Sequence, residues 1–323
     1  MAKYPIGLII NPMAGRDIRR LVAYASLQSG PEKALVAKRI MAGMAAVTDV
    51  EVLLPDDRAG FFAWLKEETA NTLPVRLVSR PIGEEDSTTL WVRMLVEAGA
   101  RALVVVGGDG TQRNVAEAAP SIPVLPIAGG TNNVACYVGD QTAGGYAVAR
   151  YLADGLDPRE VGTRAKILHV GLPGGREALA LIDVALTRQN YTGAMAIWNP
   201  DDVVALVLTV ADPIRPGLSN VGGFHHHLTQ QEAGGLHLTM GPGGAAIPAV
   251  LAPGLVATFP VASIDRVAFD QPLWLRADQD GGTLSLDGER TLVLRPHEEA
   301  QVRIRRDGPF VLDPLRILSR GQA

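Results

Sequence analysis

Only one of the 323 residues is a cysteine, Cys136. No intramolecular disulfide can form, and a reducing, cytoplasmic setting is the expectation. A basic surplus is missing as well, since the formal net charge is −4. Proteins that neutralise phosphates along nucleic acid usually carry an excess of Lys and Arg, so that partner class is excluded, whereas a local pocket for one nucleotide is not. Long unbroken apolar runs are lacking too. The stretch ending at Ile10 is too short for a signal peptide, and turn chemistry follows at once. Residues 241–264 before Asp265 carry no charge, but Pro242, Pro248, Pro253 and Pro260 interrupt them, with Gly243, Gly244 and Gly254 between. Short buried strands joined by turns are expected there rather than a membrane span. No targeting or lipidation signal and no repeat of solenoid period occurs.

What is present is ordinary for a soluble globular protein: 47% hydrophobic and 20% charged residues, in a chain long enough for two domains with their own cores. The first half alternates strands with helices. Tyr4–Asn11 reads as a strand ending in a turn, and Pro31 to about Ala46 as a helix with Leu35, Ile40 and Met44 on one face. Val50–Leu54 and Val75–Ser79 read as strands, with a helix over Arg58–Thr69 between them. Ser87 is an expected N-cap for a helix reaching Glu97. Ala102–Val106 is the clearest buried strand, followed by a glycine loop and a helix to about Ala119. Val124–Ile127 repeats the theme, with a second glycine loop and a helix start at Thr131–Asn133. Such alternation implies right-handed crossovers and a doubly wound parallel sheet, which binds ligands at the carboxyl ends of its strands.

After Asp157-Pro158 helical periodicity fades. Lys166–Val170, Ala178–Thr187, Val203–Val210, Leu236–Met240, Leu273–Ala277, Thr283–Leu286 and Val302–Arg305 read as strands separated by Pro, Gly and Asp, as in a β-sandwich-like domain. The expected division is an α/β nucleotide-binding domain over residues 1–157 and a β-rich substrate domain over 158–306. The tail 307–323 would pack back on the first domain through Phe310–Leu312 and Leu315–Leu318.

The densest chemical signal is Gly107-Gly108-Asp109-Gly110-Thr111 behind Val104–Val106. Glycines let backbone N–H groups approach a phosphate, and the helix that follows favours negative charge at its N-terminus. An aspartate in such a loop opposes a bound phosphate unless it meets Mg²⁺ or takes a proton from an attacking hydroxyl. His225-His226-His227 is a poor chelate, because neighbours on a strand face opposite ways. Cys136 is expected as a small buried residue. Arg16, Arg19 and Arg20 could reach phosphates or simply face solvent.

This loop resembles the signature of NAD kinases, diacylglycerol and sphingosine kinases and, more distantly, phosphofructokinases. Asn11-Pro12 with Gly15, the Gly130-Thr131-Asn132-Asn133 loop and Asp287-Gly288-Glu289 are similar to further elements of these enzymes. With Gly217-Leu218-Ser219 they run in order along the chain, which resembles the ATP-NAD kinase-like family of acetoin-catabolism protein X type. The resemblance implies an NAD kinase/diacylglycerol kinase-like fold, with ATP and Mg²⁺ as cofactors and NAD or NADH as the acceptor. It also implies a homodimer or higher homo-oligomer. Asp109, Asp287 and Glu289 would be catalytic. Asn11, Gly107, Gly108, Gly110, Thr111, Gly130, Thr131, Asn132 and Asn133 would hold ATP, Asp183 and Ser219 the acceptor. Mg²⁺ would sit on the phosphates, with Asp287 as a ligand. Two departures stand out. Ile182-Asp183 replaces the Asn-Glu pair of NAD kinases, and Asn114 replaces a glutamate common in lipid kinases. A kinase of another polar metabolite, less readily of a lipid, and a nucleotide-binding regulator without turnover are the alternatives.

Overall fold

A computed structural model describes residues 3–12, 30–188 and 199–320. The first half builds one sheet with helices on both faces. Its elements are β1 (Tyr4–Ile10), α1 (Gly30–Met44), β2 (Val50–Pro55), α2 (Phe61–Thr69), β3 (Val75–Val78), α3 (Thr88–Glu97), β4 (Ala102–Gly107), α4 (Asp109–Ala118), β5 (Val124–Ala128) and α5 (Gln141–Ala153). The strands lie in the order β3-β2-β1-β4-β5, all parallel. β4 is buried along its whole length between β1 and β5, which is why Ala102–Val106 needs no polar face.

Local chemistry sets the helix ends. Ser87 accepts the Leu90 N–H at 3.1 Å and starts α3. The Asp57 carboxylate accepts the N–H groups of Phe61 and Phe62, so α2 begins at Phe61 rather than at Arg58. On α1 the buried face is Ala34, Ala37, Ile40, Met41 and Met44, while Leu35 points outward. The helix expected to start at Thr131–Asn133 does not form there. α5 begins ten residues later, capped by Asp140, because contacts with the first glycine loop hold 129–137 in a loop of bends and a turn.

α6 (Pro158–Val161) leads into β6 (Gly162–Arg164), which still belongs to the first sheet. The β-rich part then holds β7 (Ile167–Gly171), β8 (Glu177–Ala180), β9 (Asp183–Thr187), β10 (Val203–Leu208), a short α7 (Ser219–Gly223), β11 (Gly235–Ala252), β12 (Leu255–Val267), β13 (Leu273–Arg276), β14 (Gly282–Leu286), β15 (Arg290–Leu294) and β16 (Glu299–Arg305). A six-stranded sheet, β12-β11-β10-β9-β14-β15, packs on a four-stranded one, β13-β16-β7-β8. Leu168, Val170, Val302 and Ile304 meet Val184, Leu186, Val207 and Leu284 between them. The other face of the larger sheet is covered by α7 and the far end of the β11–β12 hairpin, through Val221, Ile247 and Phe259. The chain returns through β17 (Phe310–Leu312), which pairs parallel to β5 at Val124 and antiparallel to β6, and ends in α8 (Pro314–Ser319) against α5. Among the described residues no helix is long and apolar enough to cross a membrane.

Two strand expectations change. Ala178–Thr187 is not one strand: it breaks at Leu181-Ile182 and crosses from the small sheet to the large one. Residues 241–264 form not several short strands but most of one long hairpin. β10 pairs with β11 only over 236–239, so beyond Met240 that edge of β11 leaves the ladder, with Val250 bonded to Gly217 and Asn220 instead, and Pro242 and Pro248 remove no ladder bond to β10. A register shift between Met240 and Ala245 absorbs Gly241–Gly244 as a bulge.

Lys166 is wholly buried beside β7, its Nζ donating to the carbonyls of Thr229 at 2.9 Å and Gly234 at 3.1 Å. Burial, then Arg306, push its pKa down to about 7, with Arg266 adding and Glu232 opposing. The folded pKa thus lies below the unfolded value of about 10.4, so stability rises as pH climbs from about 7 to about 10. Lys166→Met removes that slope. The expected result is that wild type gains about 2–4 kcal/mol relative to the variant between pH 6 and 9.5, read from urea unfolding at each pH.

Candidate active site

The carboxyl ends of β4 and β5 bring the two glycine loops into contact. The Asp109 N–H donates to the Asn132 carbonyl at 3.1 Å, and that of Gly129 to Gly107 at 3.2 Å. A methyl at Gly108 would lie 2.8 Å from the Asn132 oxygen, and one at Gly130 would lie 2.6 Å from the Gly108 Cα. Neither position admits a side chain, so the loops close only as glycines. Asn133 staples its own loop: Oδ1 accepts from Gly129 and Gly130 at 3.2 and 2.9 Å, and Nδ2 donates to the Gly130 carbonyl at 2.7 Å. Its side chain therefore shapes the loop. Thr111 accepts from Asn11 Nδ2 at 2.8 Å, tying the end of β1 to α4. Buried Lys33 donates to the Asn11 and Pro12 carbonyls at 3.2 and 2.6 Å.

Asp109 opens α4 and is 3% exposed. Its carboxylate accepts the Val134 and Ala135 N–H groups at 3.1 and 2.9 Å. Burial pushes its pKa up to about 7, the Ala135 N–H pulls it down, Asp287 raises it, the Val134 N–H lowers it and Glu289 raises it further. A group poised there can exchange a proton at neutral pH.

Asp287 sits in the turn after β14 in the left-handed region, φ 50°, which a short polar side chain tolerates. Its carboxylate accepts from the backbone of Leu181 at 3.0 Å, Ile182 at 2.8 Å and Asp183 at 3.3 Å. Arg113, one turn after Asp109, places Nη1 3.6 Å from it and donates to the Leu286 carbonyl at 3.3 Å. Burial raises the Asp287 pKa while Arg113 and the N–H groups pull it down. The cation and three donors offset part of that burial at Asp287, whereas Asp109 has only two N–H donors against its own. Asp287 thus anchors the strand break at 181–183. Its oxygens face backbone donors and Arg113, so the Mg²⁺ ligation or direct catalytic role that the resemblance implied would require those partners to be displaced.

Glu289 is exposed, and its carboxylate lies over Gly110, where any side chain would run into it. A carboxylate beside a glycine loop fits a cation shared with phosphates that such a loop would hold. Among the described residues no three His, Cys, Asp or Glu side chains gather as a metal site. A Mg²⁺ ion carried by nucleotide phosphates, with Glu289 as its one protein carboxylate, suits this donor set.

Gly129, Gly130, Thr131 and Asn133 line a cavity of about 430 Å³ with Arg215 and with Pro253 from the tip of the β11–β12 hairpin. Asp183 and Ser219, expected to hold the acceptor, line neither this cavity nor its neighbour. Asp183 is 4% exposed and Ser219 is wholly buried, its hydroxyl without a partner among the described residues. Direct contact of Ser219 with an acceptor, as the resemblance implied, would require that hydroxyl to be uncovered. The histidine triplet is exposed after α7. Cys136 is buried with Sγ 3.4 Å from the Gly107 carbonyl, and burial pushes its thiol pKa up, away from nucleophilic use. Arg16, Arg19 and Arg20 lie outside the described residues.

Arg113, Arg215 and Asn220 carry no motif, yet the two arginines join the two parts and Asn220 holds the segment that carries Arg215. Arg215 pairs with Asp212 at 3.3 Å and donates to the Asn133 and Cys136 carbonyls at 2.7 Å each. Asn220 donates to three carbonyls of 212–215 and accepts the Val250 N–H at 2.8 Å. The one available signal was for Arg113, four residues beyond Asp109 on the same helix.

Residues 34–144 match the ATP-NAD kinase N-terminal domain, and residues 166–307 match the acetoin catabolism protein X C-terminal domain. Acetoin catabolism protein X of Cupriavidus necator is 32% identical over 314 residues, covering 93% of this chain and 87% of that protein. Among solved structures, yeast NADH kinase complexed with NADH superposes with a TM-score of 0.56 at 13% identity, over 99% of this chain and 86% of the kinase. A diacylglycerol kinase-like protein of Bacillus anthracis gives 0.48 at 10% identity, over 97% and 98%. The fold is that of the NAD kinases.

Proposed function

The chain belongs to the acetoin catabolism protein X family, and on that premise we propose that it is a phosphotransferase that moves the terminal phosphoryl group of ATP to a hydroxyl of NAD or NADH. The observation that carries this reading is the meeting of the two glycine loops around Asp109, whose pKa is held up at about 7. Phosphoryl transfer asks mainly for positioning and for neutralised charge. The loops 107–111 and 130–133, with Asn11 and Arg215, would hold the triphosphate by backbone N–H groups and one guanidinium. Mg²⁺, shared between the phosphates and Glu289, would offset charge on the transferring group. Asp109 has lone pairs left beyond the two N–H bonds it accepts. It would use one to orient the acceptor hydroxyl and take its proton as the new P–O bond forms and the bond to ADP breaks. Asp287 would act at a distance, setting the Asp109 pKa and holding 181–183.

A kinase of another polar metabolite is the second reading. It is favoured by Ile182, wholly buried where NAD kinases carry an asparagine.

The test is ADP release from purified protein with Mg-ATP and NAD, NADH, a lipid panel or no acceptor, with Asp109→Asn as control. NADP or NADPH formed by wild type and lost by at least about a hundredfold in the variant is the expected result. ATP binding without turnover on NAD or NADH would sink the dinucleotide acceptor, and ATP binding without turnover on anything would point to a regulator.

A further inference from the structure

The glycine-loop cavity of about 430 Å³ has two unlike ends. One end suits an anion. Gly129 and Gly130 spend their N–H groups on Gly107 and Asn133, but the N–H and hydroxyl of Thr131 make no hydrogen bond among the described residues. Arg215 gives Nη1 to the Asn133 and Cys136 carbonyls and holds Nε 3.3 Å from Asp212, which leaves Nη2 without a hydrogen bond among the described residues. No described acidic side chain lines this cavity, whereas Asp212 and Asp313 line the neighbouring one, of about 310 Å³, against β5 and β17. The other end is apolar. Val138 is 69% exposed and Ile214 86% exposed, and both line the cavity with Pro216 and Pro253. These side chains come from separate segments, and two of the segments are fastened to each other. Asp212 accepts the Ile214 N–H at 3.0 Å, and Asn220 ties the carbonyls of Asp212, Pro213 and Arg215. Val250, near the hairpin tip that carries Pro253, bonds to Gly217 and Asn220. Exposed apolar side chains held around one opening, next to polar groups, mark a ligand surface rather than scatter.

We propose that the apolar wall is the seat of a nucleobase: a nucleoside phosphate binds with phosphate oxygens on Thr131 and Arg215 Nη2 and its base laid over Val138, Ile214, Pro216 and Pro253. The assignment rests on the phosphotransferase reading for its class of ligand and extends that reading from the phosphates to the base. A bare phosphate chain would leave the wall uncovered. A rigid ring loses little freedom on landing there, whereas a flexible acyl chain of equal apolar area loses more. The volume lies in the lower half of the range for small-molecule pockets, room for one nucleotide unit, so only one half of a dinucleotide would enter. The four wall side chains carry no polar atom, so the base is held by its faces, and apolar contact alone separates one purine from another only weakly.

The experiment is calorimetric titration of the full chain, with Mg²⁺ present, by ADP, GDP, NAD, inorganic tripolyphosphate and a lysophosphatidate. Wild type is compared with Ile214→Ser and Val138→Ser, both at exposed positions that the fold does not depend on. Nucleotide affinity is expected to fall about tenfold in each variant while that of tripolyphosphate changes by less than about twofold. ADP and GDP should bind within about a hundredfold of each other. A loss for ADP alone puts the donor nucleotide on the wall and a loss for NAD alone puts the acceptor there, and either result supports the seat. Ile214→Trp adds a direct readout: its indole fluorescence should be quenched by the bound nucleotide and left unchanged by tripolyphosphate. Equal losses for tripolyphosphate and nucleotide, no loss in any variant, or lysophosphatidate binding tighter than either nucleotide would overturn the seat. So would the absence of saturable nucleotide binding up to millimolar concentration. Because binding is read without turnover, a seat found in a protein that makes no NADP or NADPH would sink the dinucleotide-kinase reading and leave the seat standing.

Discussion

Asp109→Asn should unfold at higher denaturant than wild type at pH 8, although it is the substitution most damaging to turnover. The carboxylate is desolvated, shares its surroundings with Asp287 and Glu289, and has a pKa of about 7 in the folded protein. Its unfolded value is about 3.9. A carboxylic acid whose pKa is raised on folding favours the folded state fully below the unfolded pKa, and that advantage is lost as pH rises through the folded one. Wild type therefore loses up to about 4 kcal/mol from this residue between pH 4 and pH 8. Asparagine has no charge to bury. Its amide oxygen can still accept one of the Val134 and Ala135 N–H groups, and leaving the other less well paired costs about 1 kcal/mol. The net expectation is a variant about 2–3 kcal/mol more stable at pH 8 and no more stable than wild type at pH 4.5, measured by urea unfolding. A stability difference that ignores pH would mean that Asp109 titrates normally, and the reading of it as a poised base would fall. An active site that stores destabilising charge is the usual form of the trade between stability and activity.

The elements that could be read in advance are those whose signal is local. Ala102–Val106 needs only its own five apolar side chains to declare a central strand, and Ser87 caps α3 through a bond three residues long. The glycine loops announced themselves because close backbone approach leaves no other residue possible at 108 and 130. What stayed hidden depends on partners far away in sequence. Leu181-Ile182 looks like the middle of an apolar strand, and it breaks because a carboxylate more than a hundred residues later takes its N–H groups. Thr131–Asn133 looks like a helix start, and it is held open by Asp109 and by the Asn133 side chain folding back on its own loop. Prolines 242 and 248 read as strand breakers, yet they sit on the stretch of β11 that β10 does not reach. The acidic residues of the site were likewise visible as letters, while their division of labour was not. Only packing shows that Asp287 is saturated with donors and that Asp109 is not.

That division predicts opposite effects from the two halves of the buried pair. Arg113 reaches from α4 of the α/β domain to the turn that carries Asp287 in the β-rich domain, and both side chains are almost wholly buried. Removing one member of such a pair leaves the other charge uncompensated, at about 3–5 kcal/mol. Asp287→Ala should lie at the upper end, since it also strands the N–H groups of Leu181, Ile182 and Asp183. Arg113→Met should lie at the lower end, because Asp287 keeps those three donors. Asp287→Asn, which preserves most of the hydrogen bonding, is the variant to use for electrostatics. Taking away the Asp287 charge relieves Asp109 of a repulsive neighbour and moves its pKa down. Taking away Arg113 removes a cation one helical turn from Asp109 and moves the Asp109 pKa up. In turnover against pH, the acidic limb should therefore shift to lower pH in Asp287→Asn and to higher pH in Arg113→Met, each by about one unit. Shifts in the same direction, or none, would mean that the pair only holds the domains together. Shifts of opposite sign, accompanied by lower unfolding midpoints in both variants, would mean that one buried contact both joins the domains and sets the proton affinity of Asp109.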